Sequence, residues 1–360
     1  MFNIVWPDRF VERVTLLLGL FTMLKIFCDS NKEIKTKIFI WIVVVCYILS
    51  FRHANHHIVI ESAFLLLAFY NYNYKLVLTV FGGIAFGVSV IAFICSRTGV
   101  IVDLIYIVND NFRHAFGSRY PTNFAANIFF ILVAWTICRA EKCTYLEVVL
   151  MVAVAIILHL FCHTRNSEIA ILMLAGWIAL LKYKPMLFSK IINNRKAVLA
   201  IIIAPIIMSI VMFPLCWCYT KNSSVMLWMN KALSQRLKLG QNTLHDNPVT
   251  LFGQVIQMVG RGGRVKSPEK YTFIDISYMN IAMRFGVAIL VVVMILIIVL
   301  LLRNINNPYI VFCVLLICLH SMIEHHLFDY HYNILMVLPF AKFSSDFIIT
   351  DVLRPLKQRL

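Results

Sequence analysis

Long uninterrupted runs of apolar residues recur along the whole chain, and they constrain its fold more than any other feature. Of its 360 residues, 61% are hydrophobic and only 14% are Asp, Glu, Lys or Arg. An ordinary soluble domain has about 25% charged residues, so a water-soluble fold of this composition could not cover its own surface. A helix needs about 20 largely apolar residues to cross the hydrocarbon layer of a membrane. The sequence therefore predicts an all-α polytopic membrane protein.

Polar residues divide the apolar sequence into spans. We predict 10 to 12 transmembrane helices, with 11 preferred, in a single integral membrane domain over residues 1–360. The third span is the weakest prediction because it is short and contains Glu61. The predicted spans lie near 11–28, 36–51, 57–70, 75–95, 122–138, 145–162, 167–183, 197–219, 277–302, 308–324 and 331–349.

The distribution of basic residues predicts the orientation. Short cytoplasmic loops carry an excess of lysine and arginine. The connection over 182–196 has five bases and no acid, and with 11 spans it shares one face with the 29–37 loop and the C-terminal tail. This face is predicted to be cytoplasmic, and the N-terminus to lie outside.

Two long connections, 96–121 and 220–276, fall on the predicted outer face. Both are rich in aromatic and aliphatic residues such as Trp228 and Phe252. Long connections in compact proteins are usually functional or disordered, and this composition argues against disorder. We expect re-entrant or interfacial helices in them.

The predicted outer face combines arginine with histidine. All eleven histidines lie in outer loops or within about a turn of the outer boundary. Arginine binds phosphate oxygens with a planar, permanently charged fork, and histidine exchanges protons near neutral pH. Half of the basic residues serve topology and the rest face outward, so the positive net charge does not indicate nucleic-acid binding.

Few ionisable residues lie inside the predicted spans, which argues against an ion-coupled transporter. Asp275 and Glu324 each lie where a span meets the outer surface, and partial burial there would raise the pKa of a carboxyl group. Either could instead be a structural partner of Arg284 or Arg264. His53, His56 and His57 form a cluster without a clear acidic or cysteine partner, so no metal site and no cofactor are predicted.

Several motifs follow one another in an order seen in a known family. Arg236-Leu-Lys-Leu-Gly240, Leu251-Phe-Gly-Gln254, Phe273-Ile-Asp-Ile-Ser-Tyr278 and Arg284-Phe-Gly286 resemble the large outer loop and next helix of Wzy-type polysaccharide polymerases. These enzymes act in bacterial capsule, exopolysaccharide and O-antigen pathways. The segment 113–123, the stretch His163-Thr-Arg-Asn166, and Ile323-Glu-His-His326 with Asn333 are similar to further motifs of that family.

The resemblance implies a GT-C-like glycosyltransferase architecture in the bacterial cytoplasmic (inner) membrane, with the active site facing outside. The implied reaction transfers a glycan from undecaprenyl diphosphate to a sugar hydroxyl of another lipid-linked repeat unit, without a metal. A chain-length regulator and a flippase of the same pathway are the implied protein partners. An O-antigen-ligase-like transferase remains an alternative, and a transporter or flippase of lipid-linked glycans is the alternative from a different class.

The candidate residues divide into two groups. The base that activates the acceptor hydroxyl is sought among Glu324, His326, His245 and Asp275. The candidates for binding the diphosphate or glycan are Arg113, Arg119, Arg165, Arg236, Arg261, Arg264, Tyr278, Arg284 and Asn333.

Overall fold

The computed structural model describes residues 17, 19–24, 26–28, 33–108, 111–260 and 271–352. The described part is mostly helical, and six of its helices are long and apolar enough to cross a membrane. They are α1 (Ile34–Ala54), α3 (Tyr74–Arg97), α4 (Pro121–Arg139), α5 (Tyr145–Cys162), α6 (Arg165–Tyr183) and α8 (Arg195–Trp217). These six long apolar helices indicate a membrane protein.

The remaining helices are shorter. Three are apolar: α2 (His57–Ala68), α12 (Val287–Arg303) and α13 (Pro308–His320). The others lie in connections: α7 (Leu187–Ile192), α9 (Ser224–Ala232), α10 (Arg236–Asp246) and α11 (Ser277–Asn280). The first predicted span, 11–28, is helical at 17, 19–24 and 26–28, and its other residues lie outside those described.

Local sequence signals explain where several helices begin. Thr144 and Glu147 form a capping box at the start of α5, in which each side chain bonds the backbone N–H of the other. The side chain of Asn307 accepts from the N–H groups of Tyr309 and Ile310, and Pro308 follows at the first position of α13. These caps satisfy N–H groups that have no partner within their own helix.

Contacts between connections define two faces. One face, called the lysine-rich face, contains Tyr72–Lys75, Lys142, Lys182 and Arg303. There the Lys182 ammonium donates to the Cys143 carbonyl. Arg303 donates to the carbonyls of Pro339, Ala341 and Ser345. On the opposite, histidine-rich face (Arg113, Arg236, Asp275 and Glu324–His326), Arg113 donates to the Cys162 carbonyl and Arg236 to the Ile323 carbonyl.

The prediction of a membrane-spanning helix over 331–349 is wrong. Apart from one 3-10 turn, Ile334–Val337, this segment has no helix before residue 349. Pro339 lacks an N–H group and disfavours the helical conformation in the residue before it. Residues 334–341 are all buried, and non-helical backbone at membrane depth is tolerated where protein surrounds it.

The predicted span over 277–302 is interrupted. After α11 the chain forms a π-helical turn, Ile281–Phe285, and Gly286 then breaks the helix with φ +97° before α12 begins. Glycine adopts positive φ without steric cost, so this residue permits the break. The interruption places a non-helical backbone segment next to the histidine-rich face.

The two long connections differ from one another. The described part of the 220–276 connection contains the short helices α9 and α10. Between α3 and α4, residues 98–108 and 111–120 contain no helix. An antiparallel hairpin forms there from β1 (Ile105–Val108) and β2 (Asn111–His114), with Tyr106 opposite Arg113. Alternating β-branched and aromatic residues favour strands over helix.

Candidate functional site

A buried serine joins the two segments that carry the candidate carboxylates. Ser277, at the start of α11, donates its hydroxyl to the Glu324 carbonyl at 2.5 Å and accepts from the Leu327 N–H group at 3.1 Å. Its own N–H donates to the Ser321 carbonyl at 3.0 Å. Asp275 lies two residues before the start of α11, and Glu324 lies four residues after the end of α13. These bonds therefore bring Asp275 and the 321–327 turn together although they are distant in sequence.

Arg236, at the start of α10, bridges the two carboxylates. Its Nη1 is 3.2 Å from Asp275 Oδ2, and its Nη2 is 3.8 Å from Glu324 Oε1. Its Nε donates to the Ile323 carbonyl at 3.2 Å. Asp275 and Glu324 were each predicted as alternative partners of Arg284 or Arg264, and the described contacts assign both to Arg236. The planar guanidinium fork allows one side chain to contact two separate carboxylates.

The environment of Glu324 raises the pKa of its carboxyl group to near neutral pH. Burial raises the pKa of Glu324 to about 7, and the charge of Asp275 adds to this effect against the opposing charges of Arg236 and Arg113. A general base is most effective when its pKa is close to the working pH. Glu324 therefore has the protonation behaviour of a base.

Two neighbouring histidines extend the cluster. His325 Nδ1 is 3.9 Å from Asp275 Oδ1, and the His325 ring packs edge-on against Phe273. His326 is fully buried between His325 and Tyr332, with ring centroids 4.3 Å and 4.1 Å apart. Burial lowers the pKa of both histidines, which favours neutral imidazoles. Neither nitrogen of His326 has a hydrogen-bond partner among the described residues.

Glu324, His325 and His326 also present ligand atoms within 4.8 Å of one another, an arrangement that can hold a metal ion. Imidazole and carboxylate ligands suit several transition metals. The Arg236 guanidinium contacts Glu324 and Asp275, so its positive charge would oppose a cation placed beside them.

Of the other predicted arginines, two lie close to this cluster. Arg113 lowers the pKa of Glu324, and Arg119 lowers the pKa of Tyr332 against the stronger effect of burial, so both side chains act on the site electrostatically. Arg165 is exposed at the start of α6, where its neighbours Asn166 and Ser167 contact His320. Arg261 and Arg264 lie outside the described residues.

Arg284 lies in the π-helical turn and differs from Arg236 in its partners. Its Nη1 donates to Asn280 Oδ1 at 3.3 Å, and its guanidinium carbon lies 5.1 Å from the centre of the Phe285 ring. No carboxylate among the described residues lies within ion-pair distance of it. Burial lowers the pKa of His56 and of His325, and the charge of Arg284 adds to both effects, so Arg284 acts electrostatically on both histidines.

Two of the motifs that carry the family resemblance meet in space. The Gln254 N–H donates to the Arg284 carbonyl at 3.0 Å, and the Ala288 N–H donates to the Leu251 carbonyl at 2.9 Å. These backbone hydrogen bonds hold Leu251-Phe-Gly-Gln254 against Arg284-Phe-Gly286 at the break in the helix. No spacing rule in the sequence predicts this contact.

Three further predicted site residues make contacts outside the carboxylate–arginine cluster. Tyr278 is fully buried and donates its hydroxyl to the Cys318 carbonyl at 2.7 Å. Asn333 is also fully buried and donates to the Leu327 carbonyl at 2.9 Å. His245 is exposed and stacks against Trp217, and it makes none of the cluster's contacts described above.

Sequence reasoning missed three residues that shape the cluster: Ser277, His320 and His325. His320 is buried at the end of α13, where it stacks on Phe129 and its Nε2 lies 3.3 Å from Ser167 Oγ. The consecutive residues His325 and His326 were a usable signal. Only the fold could reveal that His325, and not His326, faces Asp275.

Comparisons with protein-family models, with curated proteins and with solved structures found no match to this chain. The functional conclusion therefore depends on the chemistry of the cluster and on the order of the motifs.

Proposed function

We propose that the chain is a glycosyltransferase that polymerises undecaprenyl-diphosphate-linked oligosaccharide repeat units at the outer face of the bacterial cytoplasmic membrane. The growing glycan is transferred to a sugar hydroxyl of another lipid-linked unit, and undecaprenyl diphosphate is released. The observation that carries the proposal is the buried carboxyl group of Glu324, with a pKa of about 7, in contact with Arg236.

The proposed chemistry assigns separate roles to the carboxylates and the arginines. Glu324 removes the proton from the acceptor hydroxyl, whose oxygen attacks the anomeric carbon of the donor sugar. The bond from that carbon to the diphosphate oxygen breaks, and the diphosphate leaves with the electron pair. Arg236 orients Glu324 and Asp275, so it is a positioning residue. Because Arg284 has no described carboxylate partner, its charge is available to stabilise the leaving diphosphate.

The decisive experiment incubates the purified full-length protein with the native lipid-linked repeat unit. The proposal predicts a ladder of products that differ by one repeat unit each. Transfer of a single unit to another acceptor would favour a ligase, and translocation of unchanged lipid-linked glycan would favour a flippase. Since arginine supplies the positive charge, the ladder is expected to persist in EDTA. Loss in EDTA with rescue by one divalent ion would instead make Glu324, His325 and His326 a metal site.

A further inference from the structure

A membrane-facing groove lies far from the candidate site, near the lysine-rich face. It encloses about 730 Å³ between α3, α4 and α5, and its walls are almost entirely apolar. α4 forms its back wall, and α3 and α5 form the sides. The side chains of Phe86, Trp135 and Leu150 border it and are about half exposed.

Small residues create the groove. A Cβ atom added at Gly82 on α3 would lie 3.7 Å from Ala134 Cβ on α4, and one added at Gly83 would meet no atom within 4 Å. Glycine at position 83 therefore keeps this part of the groove open, because any larger side chain there would enter it.

The length of the groove matches one leaflet. Its α3 wall runs from Leu78 to Phe86, which corresponds to a rise of about 12 Å. Half of the hydrocarbon layer is about 15 Å thick. Since α3 begins at Tyr74 and α4 ends at Arg139, the groove extends from the lysine-rich face to about the middle of the membrane.

The polar end of the groove carries a surplus of positive charge. Arg139 is paired with Glu147 at 3.1 Å, and Trp135 donates its indole N–H to the same carboxylate at 2.8 Å. Lys75 and Lys142 are exposed, and their carbonyls accept hydrogen bonds from Cys138 Sγ and Arg139 Nη2, which line this end of the groove. No described carboxylate lies within ion-pair distance of either ammonium group. Tryptophan is typical of the membrane–water interface, so Trp135 marks the depth at which lipid headgroups lie.

We propose that this groove binds one acyl chain of an anionic phospholipid from the leaflet at the lysine-rich face, with the lipid phosphate held by Lys75 and Lys142. The apolar walls fit a hydrocarbon chain, and the two ammonium groups, which have no ion-pair partner among the described residues, complement a headgroup with net negative charge. Basic sites between helices on the cytoplasmic side are suited to such headgroups. This inference is independent of the proposed transferase activity.

Native mass spectrometry of the full-length protein in detergent tests the proposal. The probes are phosphatidylglycerol and phosphatidylcholine with identical acyl chains. We expect one tightly retained phosphatidylglycerol per chain, with weaker phosphatidylcholine retention. Lys75→Gln and Lys142→Gln should each weaken phosphatidylglycerol binding by about fivefold and leave phosphatidylcholine unchanged.

A pair of glycine variants tests the groove itself. Gly83→Leu fills the space and should abolish retention of the lipid. Gly87→Leu lies one turn further along the same helix, outside the groove, also meets no atom within 4 Å, and should retain it. Retention unchanged by Gly83→Leu would overturn the site, and no effect of the lysine variants would overturn the headgroup assignment. Displacement of phosphatidylglycerol by equimolar undecaprenyl phosphate would overturn the phospholipid as occupant.

Discussion

At the scale of single residues, Arg236 stabilises two buried carboxylates that come from distant parts of the chain. Breaking a buried ion pair by removal of one partner typically costs about 3–5 kcal/mol, because the remaining charge is left without compensation. Here one substitution leaves both Asp275 and Glu324 without their shared partner. Arg236 is therefore the residue on which the geometry of the cluster depends most.

For Arg236→Ala we expect a loss of about 3–5 kcal/mol in unfolding free energy, measured by unfolding in detergent. Arg236→Lys keeps the charge but loses the fork that reaches two carboxylates, so chain extension should fall by about 100-fold while the folded protein is still obtained. Lys238→Gln, on an exposed position of the same helix, is the control and should behave like the parent. Normal chain extension by Arg236→Lys would remove Arg236 from the site.

Glu324 gives a prediction for the pH dependence of activity. A base must be deprotonated, so chain extension should rise with pH and reach half of its maximum near the Glu324 pKa of about 7. Glu324→Gln should abolish chain extension while the protein still binds the lipid-linked donor. A structural role for Glu324 would instead show as lower protein levels or weaker donor binding. Full activity of Glu324→Gln would leave Asp275 or His325 as the base.

Stability should also depend on the protonation of Glu324. Its pKa in the folded protein lies above the ordinary 4.5, so the folded state binds the proton more tightly than the unfolded state does. The unfolding free energy should therefore fall as pH rises from about 4.5 to 7, by up to about 3 kcal/mol from this group. Unfolding measured across this range should show a smaller decline in Glu324→Gln. An identical decline in parent and variant would contradict the raised pKa.

At the scale of elements, two glycines permit the break between α11 and α12 and the close packing of the 248–254 loop against that break. Gly253 and Gly286 both have positive φ, at +91° and +97°. A Cβ atom at Gly253 would lie 2.3 Å from the Arg284 carbonyl oxygen, and one at Gly286 would lie 2.4 Å from the Leu251 carbonyl oxygen. Such contacts are too short for any side chain, so an alanine at either position must displace backbone.

Gly253→Ala and Gly286→Ala should each lower the unfolding free energy by more than the roughly 1–2 kcal/mol that a left-handed conformation costs an L-residue, because backbone must also move. Both should also expose the 248–254 loop to limited proteolysis. Gly176→Ala is the matched control, since it lies in α6 and an added Cβ meets nothing within 4 Å. It should be neutral or slightly stabilising, by about 0.5–1 kcal/mol. Equal stability and protease resistance in all three variants would show that the loop is not held at this break.

At the scale of the whole molecule, the two faces differ in their chemistry. Lysine and backbone carbonyls dominate one face, and arginine, histidine and buried carboxylates dominate the other. The positive-inside rule predicts that the lysine-rich face is cytoplasmic. The candidate site and the proposed phospholipid groove would then lie on opposite sides of the membrane.

Cysteine labelling in intact cells measures this orientation. In a cysteine-free background, a cysteine introduced at 242 should react with an impermeant reagent added outside, and one at 190 should react only after the cells are opened. Labelling at 190 without labelling at 242 would invert the whole arrangement and contradict the proposed function at the outer face.

Sequence alone determined the elements whose signal is local. The apolar runs predicted α5 with the bounds that the structure has, 145–162, and located the other five long helices to within three residues at each end, because burial in lipid demands hydrophobicity over a length fixed by the membrane. The same local signal failed for 331–349. Apolar residues enclosed by protein do not need to form a helix, and hydropathy does not distinguish protein from lipid as their surroundings.

Tertiary structure alone decided the site. The sequence supplied Arg236, Asp275, Glu324 and Arg284 as candidates, but it could not assign their partners, because ion pairs between residues far apart in sequence depend on how α10, α11 and the 321–327 turn pack. It also could not show that Tyr278 and Asn333 are fully buried, or give His325 its position beside Asp275. Residue type follows from the sequence, whereas burial and contact distance depend on the packing of distant segments.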